Sequence, residues 1–216
     1  MIIIGLIGKE RVGKDTFADY ICQRYKFQKY NLAQPIKEIA KIMFGWDDEK
    51  LNGKSKDEID SNYGIKPRDF FTWFGTEIGQ FALHQKFPNL QIPIRSIWSQ
   101  SMDIWIQEQI ALNKNGLIVI PDVRFCHEVD VLHKYNAVLI NITKSNISVG
   151  QSQKSDNNYQ LDEILENYNI QYQINNDSTL SNFKKEINKL ILKIQPNLDR
   201  TLIQDNELKT NYAMYI

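Results

Sequence analysis

The sequence predicts an α/β protein in which helices wrap a central parallel sheet, and three observations carry that prediction. Largely apolar runs of strand length recur at residues 2–7, 117–120 and 137–142, the pattern of strands covered on both faces. Between them apolar residues fall at helical spacing, so that strands alternate with helices. A glycine-flanked turn, Gly8 to Gly13, directly follows the first run and opens a helical pattern.

Taken in order, Ile2 to Ile7 is the first strand, and Phe17, Ala18, Ile21 and Cys22 form one face of a helix beginning near Lys14. A short strand signal spans Phe27 to Leu32. Pro35 opens a second helix with the stripe Ile36, Ile39, Ala40, Met43 and Phe44. Residues 45–65 are polar and charged, with an Asn52-Gly53 turn signal, and read as an insert or mobile subregion. Pro67 starts a helix carrying Phe70, Phe71, Phe74 and Ile78. Gly75 interrupts it at a cost of about 1 kcal/mol, which predicts a kink or a close backbone approach. A loop rich in Pro and Asn (87–93) leads to a helix from Ile97 to Leu112, ended by Gly116.

Leu117 to Ile120 is the next buried strand, closed by Pro121-Asp122, and a helix follows over Glu128 to Tyr135. Ala137 to Ile142 is the third core strand. Ser145 to Tyr159, rich in Ser, Asn and Gln, has little to bury and reads as a flexible lid. Gln171 to Ile174 and Leu180 to Ile194 predict a last strand and a last helix, and the tail after Pro196 shows no period.

A chain of 216 residues fits one such domain with a small insert. Lys plus Arg and Asp plus Glu balance at 26 each, which argues against a protein that coats long nucleic acid. The two cysteines, Cys22 and Cys126, belong to no CxxC or Cys/His pattern, so neither a disulfide framework nor a zinc site is expected. The apolar start is too short to span a membrane and lacks the basic head and cleavage region of a leader. A soluble, cytoplasmic protein is expected. The oligomeric state is open, a homodimer included.

Gly8-Lys9-Glu10-Arg11-Val12-Gly13-Lys14 matches G-x-x-x-x-G-K in its required place between a buried strand and a helix. The glycines let backbone N–H groups turn inward onto phosphate oxygens, and the helix dipole adds positive potential. Lys14 then reaches the β- and γ-phosphates as a mobile point charge. Asp15 stands where a Ser or Thr usually meets the metal, and Thr16 follows. Either the Thr16 hydroxyl takes that role or Asp15 holds the hydration shell of Mg²⁺. Mg²⁺ and Arg11 would offset the repulsion between Asp15 and a triphosphate.

The second strand delivers Asp122 at its C-terminal end, where open α/β sheets bind ligands, with Arg124 two residues on. Asp122 could anchor metal-bound water or orient a basic residue, and Arg124 could bridge two phosphates. Arg68 opens a helix, where a cation is disfavoured unless it meets an anion. Thr72, Gly75 and Thr76 lie on the same helix. Trp73, Phe74 and Trp98 sit at core spacing, whereas Trp105 is the best candidate to stack on a base. His127 reads as structural, because transfer to an existing phosphate needs no general base.

Gly8 to Ala18 (GKERVGKDTFA), Tyr30 to Lys37 (YNLAQPIK), Pro67 to Glu77 (PRDFFTWFGTE), Trp105, Ile120 to Asp130 (IPDVRFCHEVD) and Asn176 to Leu180 (NDSTL) together resemble the deoxynucleoside monophosphate kinases of tailed bacteriophages. The resemblance implies a P-loop nucleoside monophosphate (NMP) kinase-like α/β/α sandwich with NMP-binding helices and a lid. It implies a single kinase domain over residues 1–194, the acceptor region within 45–110, the lid at 145–162 and a C-terminal tail at 195–216. ATP with Mg²⁺ would be the donor and a deoxynucleoside monophosphate the acceptor, yielding the diphosphate. Gly8, Lys9, Val12, Gly13, Lys14, Asp15 and Thr16 would hold ATP, with Asp15 and Thr16 at the metal. Lys14, Asp15, Arg11, Asp122 and Arg124 would form the catalytic set. Arg68, Thr72, Gly75, Thr76, Trp105 and Arg124 would meet the monophosphate.

The chain departs from the family pattern at three places. Thr72 stands where relatives often carry a glutamine, Asp156-Asn157-Asn158 replaces the usual lid pattern, and the chain continues past residue 194. Base preference is therefore open. The Asn, Ile, Lys and Tyr content fits an AT-rich genome, such as that of a large DNA virus. Two other readings remain: a kinase for another phosphorylated small molecule (phosphomevalonate or dephospho-coenzyme A), and a nucleotide-binding scaffold without transfer activity.

Overall fold

The computed structural model describes residues 1–112, 116–145, 160–196 and 198. Two compact units result, Met1–Lys29 with Asn115–Ile216, and Tyr30–Lys114.

The first unit is built on five parallel strands, β1 (Ile2–Ile7), β2 (Gln28–Lys29), β3 (Leu117–Ile120), β4 (Val138–Thr143) and β5 (Tyr172–Asn175), in spatial order β2-β3-β1-β4-β5. Register places Gly5 opposite both Ile120 and Leu139, so β3 ends two residues before β1 does and β4 runs two residues past it. The chain leaves β1 toward one side of the sheet and returns for β4 on the other. That reversal opens the crevice where α/β sheets bind ligands.

Burial explains the strands. Ile4, Leu6, Ile140 and Ile142 project into a core closed by Phe17, Ala18 and Ile21 of α1 (Lys14–Tyr25). Phe183, Ile187 and Ile191 of the last helix (Leu180–Ile194), one turn apart, complete that core. Thr179 caps this helix by accepting from the Asn182 amide. Gly5 faces the opposite side, where a Cβ would stand 2.7 Å from Leu132. Leu132 belongs to the helix Cys126–Lys134, so glycine lets that helix close onto the sheet. Helices on both faces of a parallel sheet make the three-layer α/β/α sandwich that the sequence predicts.

The second unit is helical. α2 (Gln34–Phe44) starts at Pro35 and ends on Gly45 at φ 65°, whose N–H bonds to Lys41 at 2.9 Å. A short α3 (Asp48–Leu51) and a 3₁₀ turn (Lys54–Asp57) follow, then α4 (Pro67–Trp73). A π-helix covers Phe74–Ala82, α5 covers Leu83–Lys86 and α6 covers Ile97–Leu112. In the first unit the remaining helices are α7 (Cys126–Lys134), α8 (Leu161–Asn167) and α9 (Leu180–Ile194).

One expectation changes here and another gains detail. The polar stretch 45–65, read as an insert or mobile subregion, folds around buried Trp46 and Leu51. Its carboxylate Asp60 is buried because Trp46 donates to it at 3.1 Å, Lys50 pairs with it at 2.5 Å, and the amides of Asn62 and Tyr63 bond to it. The helix from Pro67 does not stay α-helical. Past Trp73 it widens, and the Gly75 carbonyl accepts the Trp98 indole N–H at 2.8 Å. A Cβ on Gly79 would strike the Trp98 ring, and one on Gly75 would come 2.9 Å from the tip of Ile36. With the Trp98 bond to the Gly75 carbonyl, this makes the close approach expected at Gly75. Trp73, expected in the core, is 52% exposed.

Candidate active site

The first unit gathers the phosphate-loop residues and the end of β3. β1 delivers Gly8 at φ 143°, where a side chain would strike the Ile142 carbonyl of β4. Arg11 takes φ 61° and Gly13 φ 107°, so the loop curls back before α1 begins. Asn176, in the turn between β5 and α9, donates its side-chain amide to the Val12 carbonyl at 2.8 Å. Its own backbone N–H bonds to Thr143 at 2.8 Å. A Cβ on Gly13 would stand 2.6 Å from that Asn176 amide nitrogen. The loop is thus gripped from outside as well as shaped by its own dihedrals.

Lys14 lies beneath this loop with a side chain only 10% exposed. Its ammonium donates to the carbonyls of Gly8 at 2.6 Å and Lys9 at 2.9 Å. It stands 3.4 Å from Asp122 at the end of β3. Burial lowers the Lys14 pKa from the usual lysine value, and the Asp122 carboxylate opposes that shift. The other Asp122 oxygen accepts from Arg124 Nε at 2.8 Å, and a terminal guanidinium nitrogen lies at 2.5 Å. One carboxylate is therefore shared by two cations.

The segment holding this pair is fixed through its backbone. The Val123 N–H bonds to Leu6 of β1 at 3.1 Å. The N–H groups of Arg124 and Phe125 both donate to one oxygen of Glu128, at 2.6 and 3.1 Å. The Arg124 carbonyl accepts from Gln160 at 3.0 Å. Asp15 and Thr16 occupy the first turn of α1, Asp15 exposed and Thr16 half-buried, while Lys9 and Arg11 are exposed on the loop. The structure thus brings Gly8, Lys9, Val12, Gly13 and Lys14 together with Asp122 and Arg124.

The remaining candidates lie in the second unit. Arg68 pairs with Asp57 through Nε and through a terminal nitrogen at 3.2 Å. That contact supplies the anion its place at a helix start requires. Thr72 is exposed and donates its hydroxyl to the Arg68 carbonyl at 3.1 Å. Gly75 and Thr76 sit on the π-helix, which orients them differently from the α-helix the sequence predicts. Trp105 is half-buried, with its ring 4.9 Å from that of Tyr30. The Tyr30 hydroxyl is buried without a hydrogen-bond partner, and burial pushes its pKa up to about 12. Back in the first unit, His127 stacks on Phe125 at 5.4 Å.

Sequence reasoning assigned no role to Asn176 or Glu128. A glutamate three residues past a helix start is a capping signal, but the carbonyl that Asn176 grips is 164 residues away. The lid expected over 145–162 falls largely outside the described residues, as does most of the 195–216 tail. Ser145, at its root, donates through its amide to Asp177 at 2.6 Å.

Sheet order and the glycine-flanked phosphate loop after β1, with Asp122 and Arg124 at the end of β3, define a P-loop α/β fold. Within that class the chain resembles the deoxynucleotide monophosphate kinases: the family model of that description matches residues 2–65. A protein of Acanthamoeba polyphaga mimivirus with the provisional name deoxynucleotide monophosphate kinase is 29% identical over 159 residues, covering 72% of this chain and 81% of that protein. Among solved structures, a sugar kinase from Janibacter sp. HTCC2649 superposes with a TM-score of 0.46 at 13% identity, over 92% of this chain and 98% of that one. A dephospho-CoA kinase from Campylobacter jejuni superposes with a TM-score of 0.48 at 15% identity, over 90% and 98%. No helix among the described residues is long and apolar enough to cross a membrane.

Proposed function

We propose that the protein transfers the γ-phosphoryl group of ATP to a deoxynucleoside monophosphate, giving ADP and the deoxynucleoside diphosphate. The observation that carries this reading is the arrangement around Asp122, which holds the buried Lys14 ammonium on one side and the Arg124 guanidinium on the other. Phosphoryl transfer needs charge neutralisation in a fixed geometry and little covalent chemistry, and a preorganised pair of cations supplies it. The resemblance to deoxynucleotide monophosphate kinases supports the choice of acceptor.

In this reading the loop from Gly8 to Thr16 binds ATP. Its backbone N–H groups cradle the phosphates, and Lys14 exchanges its bonds to Gly8 and Lys9 for phosphate oxygens. Arg11 adds charge at the loop rim. Asp15, Thr16 and Asp122 offer hard oxygen donors. No cluster of three or more His, Cys, Asp or Glu residues forms a cage among the described residues. That donor set suits Mg²⁺, which is usually held by one or two carboxylates, water and substrate phosphates. Bound there, Mg²⁺ would supply charge neutralisation at the transferring group. Arg124 contacts the phosphates of both substrates, Arg68 the acceptor phosphate, and Thr72, Gly75, Thr76 and Trp105 the acceptor nucleoside. In this reading a single kinase domain would span 1–194, with the acceptor region within 45–110, a lid over 145–162 and a C-terminal tail at 195–216.

The test is an ADP-release assay over a panel of acceptors. The reading expects turnover with one or more deoxynucleoside monophosphates. Turnover confined to a non-nucleotide phosphate, or ATP binding without transfer to any acceptor, would overturn it.

A further inference from the structure

We infer that Glu128 is a positioning residue for Arg124, holding the turn after β3 in the shape that presents the guanidinium to the phosphates. The inference rests on the kinase reading above and adds a residue to its machinery. Glu128 is 4% exposed, and a single carboxylate oxygen accepts from two consecutive amides, Arg124 at 2.6 Å and Phe125 at 3.1 Å. Two donors converging on one acceptor fix the peptide plane between them, and with it the direction in which the Arg124 side chain leaves the backbone. The grip is reinforced on both sides. Val123 is bonded to Leu6 of β1, and the Arg124 carbonyl accepts from Gln160.

Burial of an acid is costly unless something requires it. Burial pushes the Glu128 carboxyl up to about 8, against the two backbone bonds that pull it down. The charged groups acting on it are Asp122, which favours the neutral acid, and Arg124, which favours the carboxylate. A surface glutamine or serine would cap α7 more cheaply. The buried carboxyl is explained if its oxygen has to stand at one fixed point behind Arg124.

A cap acts through helix stability, whereas a positioning group acts through the reacting geometry, and the two separate experimentally. Glu128→Ala removes the acceptor, Glu128→Gln keeps an oxygen at the same reach without a titratable carboxyl, and Glu128→Asp keeps the carboxyl but withdraws it by one methylene. The proposal expects Glu128→Ala to lower kcat by up to about 10²-fold, the scale of a misplacement of about 1 Å. The KM for ATP stays near the wild-type value, Glu128→Gln restores most of kcat, and Glu128→Asp does not. Amide hydrogen exchange of the full-length protein without substrates provides an arm independent of acceptor choice. Arg124 and Phe125 amides should exchange slowly in wild type and Glu128→Gln, and fast in Glu128→Ala.

Unchanged kcat and unchanged exchange in Glu128→Ala would overturn the proposal. So would a loss of activity that merely tracks the unfolded fraction, or rescue by aspartate but not glutamine. A wild type that phosphorylates no monophosphate defeats the kinase reading and the catalytic half of this proposal with it. The exchange rates then still decide whether Glu128 fixes the turn.

Discussion

The Lys14 ammonium lies 3.4 Å from the Asp122 carboxylate, so the end of β3 supplies the counter-charge for a lysine held beneath a loop that starts at β1. Burial lowers the Lys14 pKa and Asp122 is the main influence raising it. Removing that carboxylate leaves burial less opposed. Asp122→Asn should therefore shift the basic limb of the kcat–pH profile to lower pH, as Lys14 loses its proton earlier. A profile that falls in height without moving would show that Asp122 does not tune this lysine.

Gly13 and Gly45 both have positive φ, 107° and 65°, but differ in what surrounds them. Gly13 is packed against Asn176, whereas a Cβ on Gly45 meets nothing within 4 Å. Gly45→Ala should cost only backbone strain, roughly 1 kcal/mol, and leave ATP affinity alone. Gly13→Ala should displace the Asn176 bond to Val12 and weaken ATP binding, read by titration calorimetry. Asn176→Ala should weaken it in the same direction with the loop glycine intact.

Asp60 organises the stretch after Trp46, and its carboxyl is held below the usual aspartate value, first by its bond with Lys50. A lowered folded-state pKa gives stability that is present above about pH 3.8 and lost as pH falls through the folded value. Trp46 fluorescence should report unfolding of this region on acidification below that pH. Asp60→Asn should be less stable at neutral pH and should lack that acid-dependent loss.

Glu128 titrates with the opposite sign. Its pKa rises from 4.5 to about 8 on folding, so between those values the folded protein binds more protons than the unfolded chain. Stability should then decline as pH rises across that window. Denaturant melts at several pH values should show a flatter profile for Glu128→Gln than for wild type. An identical slope in both would assign the pH dependence elsewhere.

Much of the fold was legible because its signals are local. The strand Leu117–Ile120 and the helices Ile97–Leu112 and Leu180–Ile194 coincide with their apolar patterns, and the phosphate loop sits where its motif requires. What was not legible depends on distant partners. The π-helix at Phe74–Ala82 is held by Trp98, 23 residues beyond the carbonyl it captures, and a periodicity of 3.6 carries no trace of that. β2 shrinks to Gln28–Lys29 because it pairs only with Ile118 and Val119 of β3. α8 (Leu161–Asn167) buries just Leu161 and Ile164, too few for a stripe. Asp122 and Arg124 stood out because a buried strand delivers them, whereas the grips of Asn176 and Glu128 are visible only once the chain is folded.

The central claim is that Lys14 and the Asp122–Arg124 pair serve transfer of phosphate between nucleotides. The most direct measurement follows ATP, ADP and nucleoside diphosphate by chromatography after mixing the protein with ATP, Mg²⁺ and each deoxynucleoside monophosphate. The account predicts ADP and a deoxynucleoside diphosphate in equal amounts. It also predicts a fall of about 10²-fold or more in Lys14→Ala, the scale of losing one preorganised charge contact. ADP formed without any nucleoside diphosphate, or transfer that survives Lys14→Ala unchanged, would contradict it.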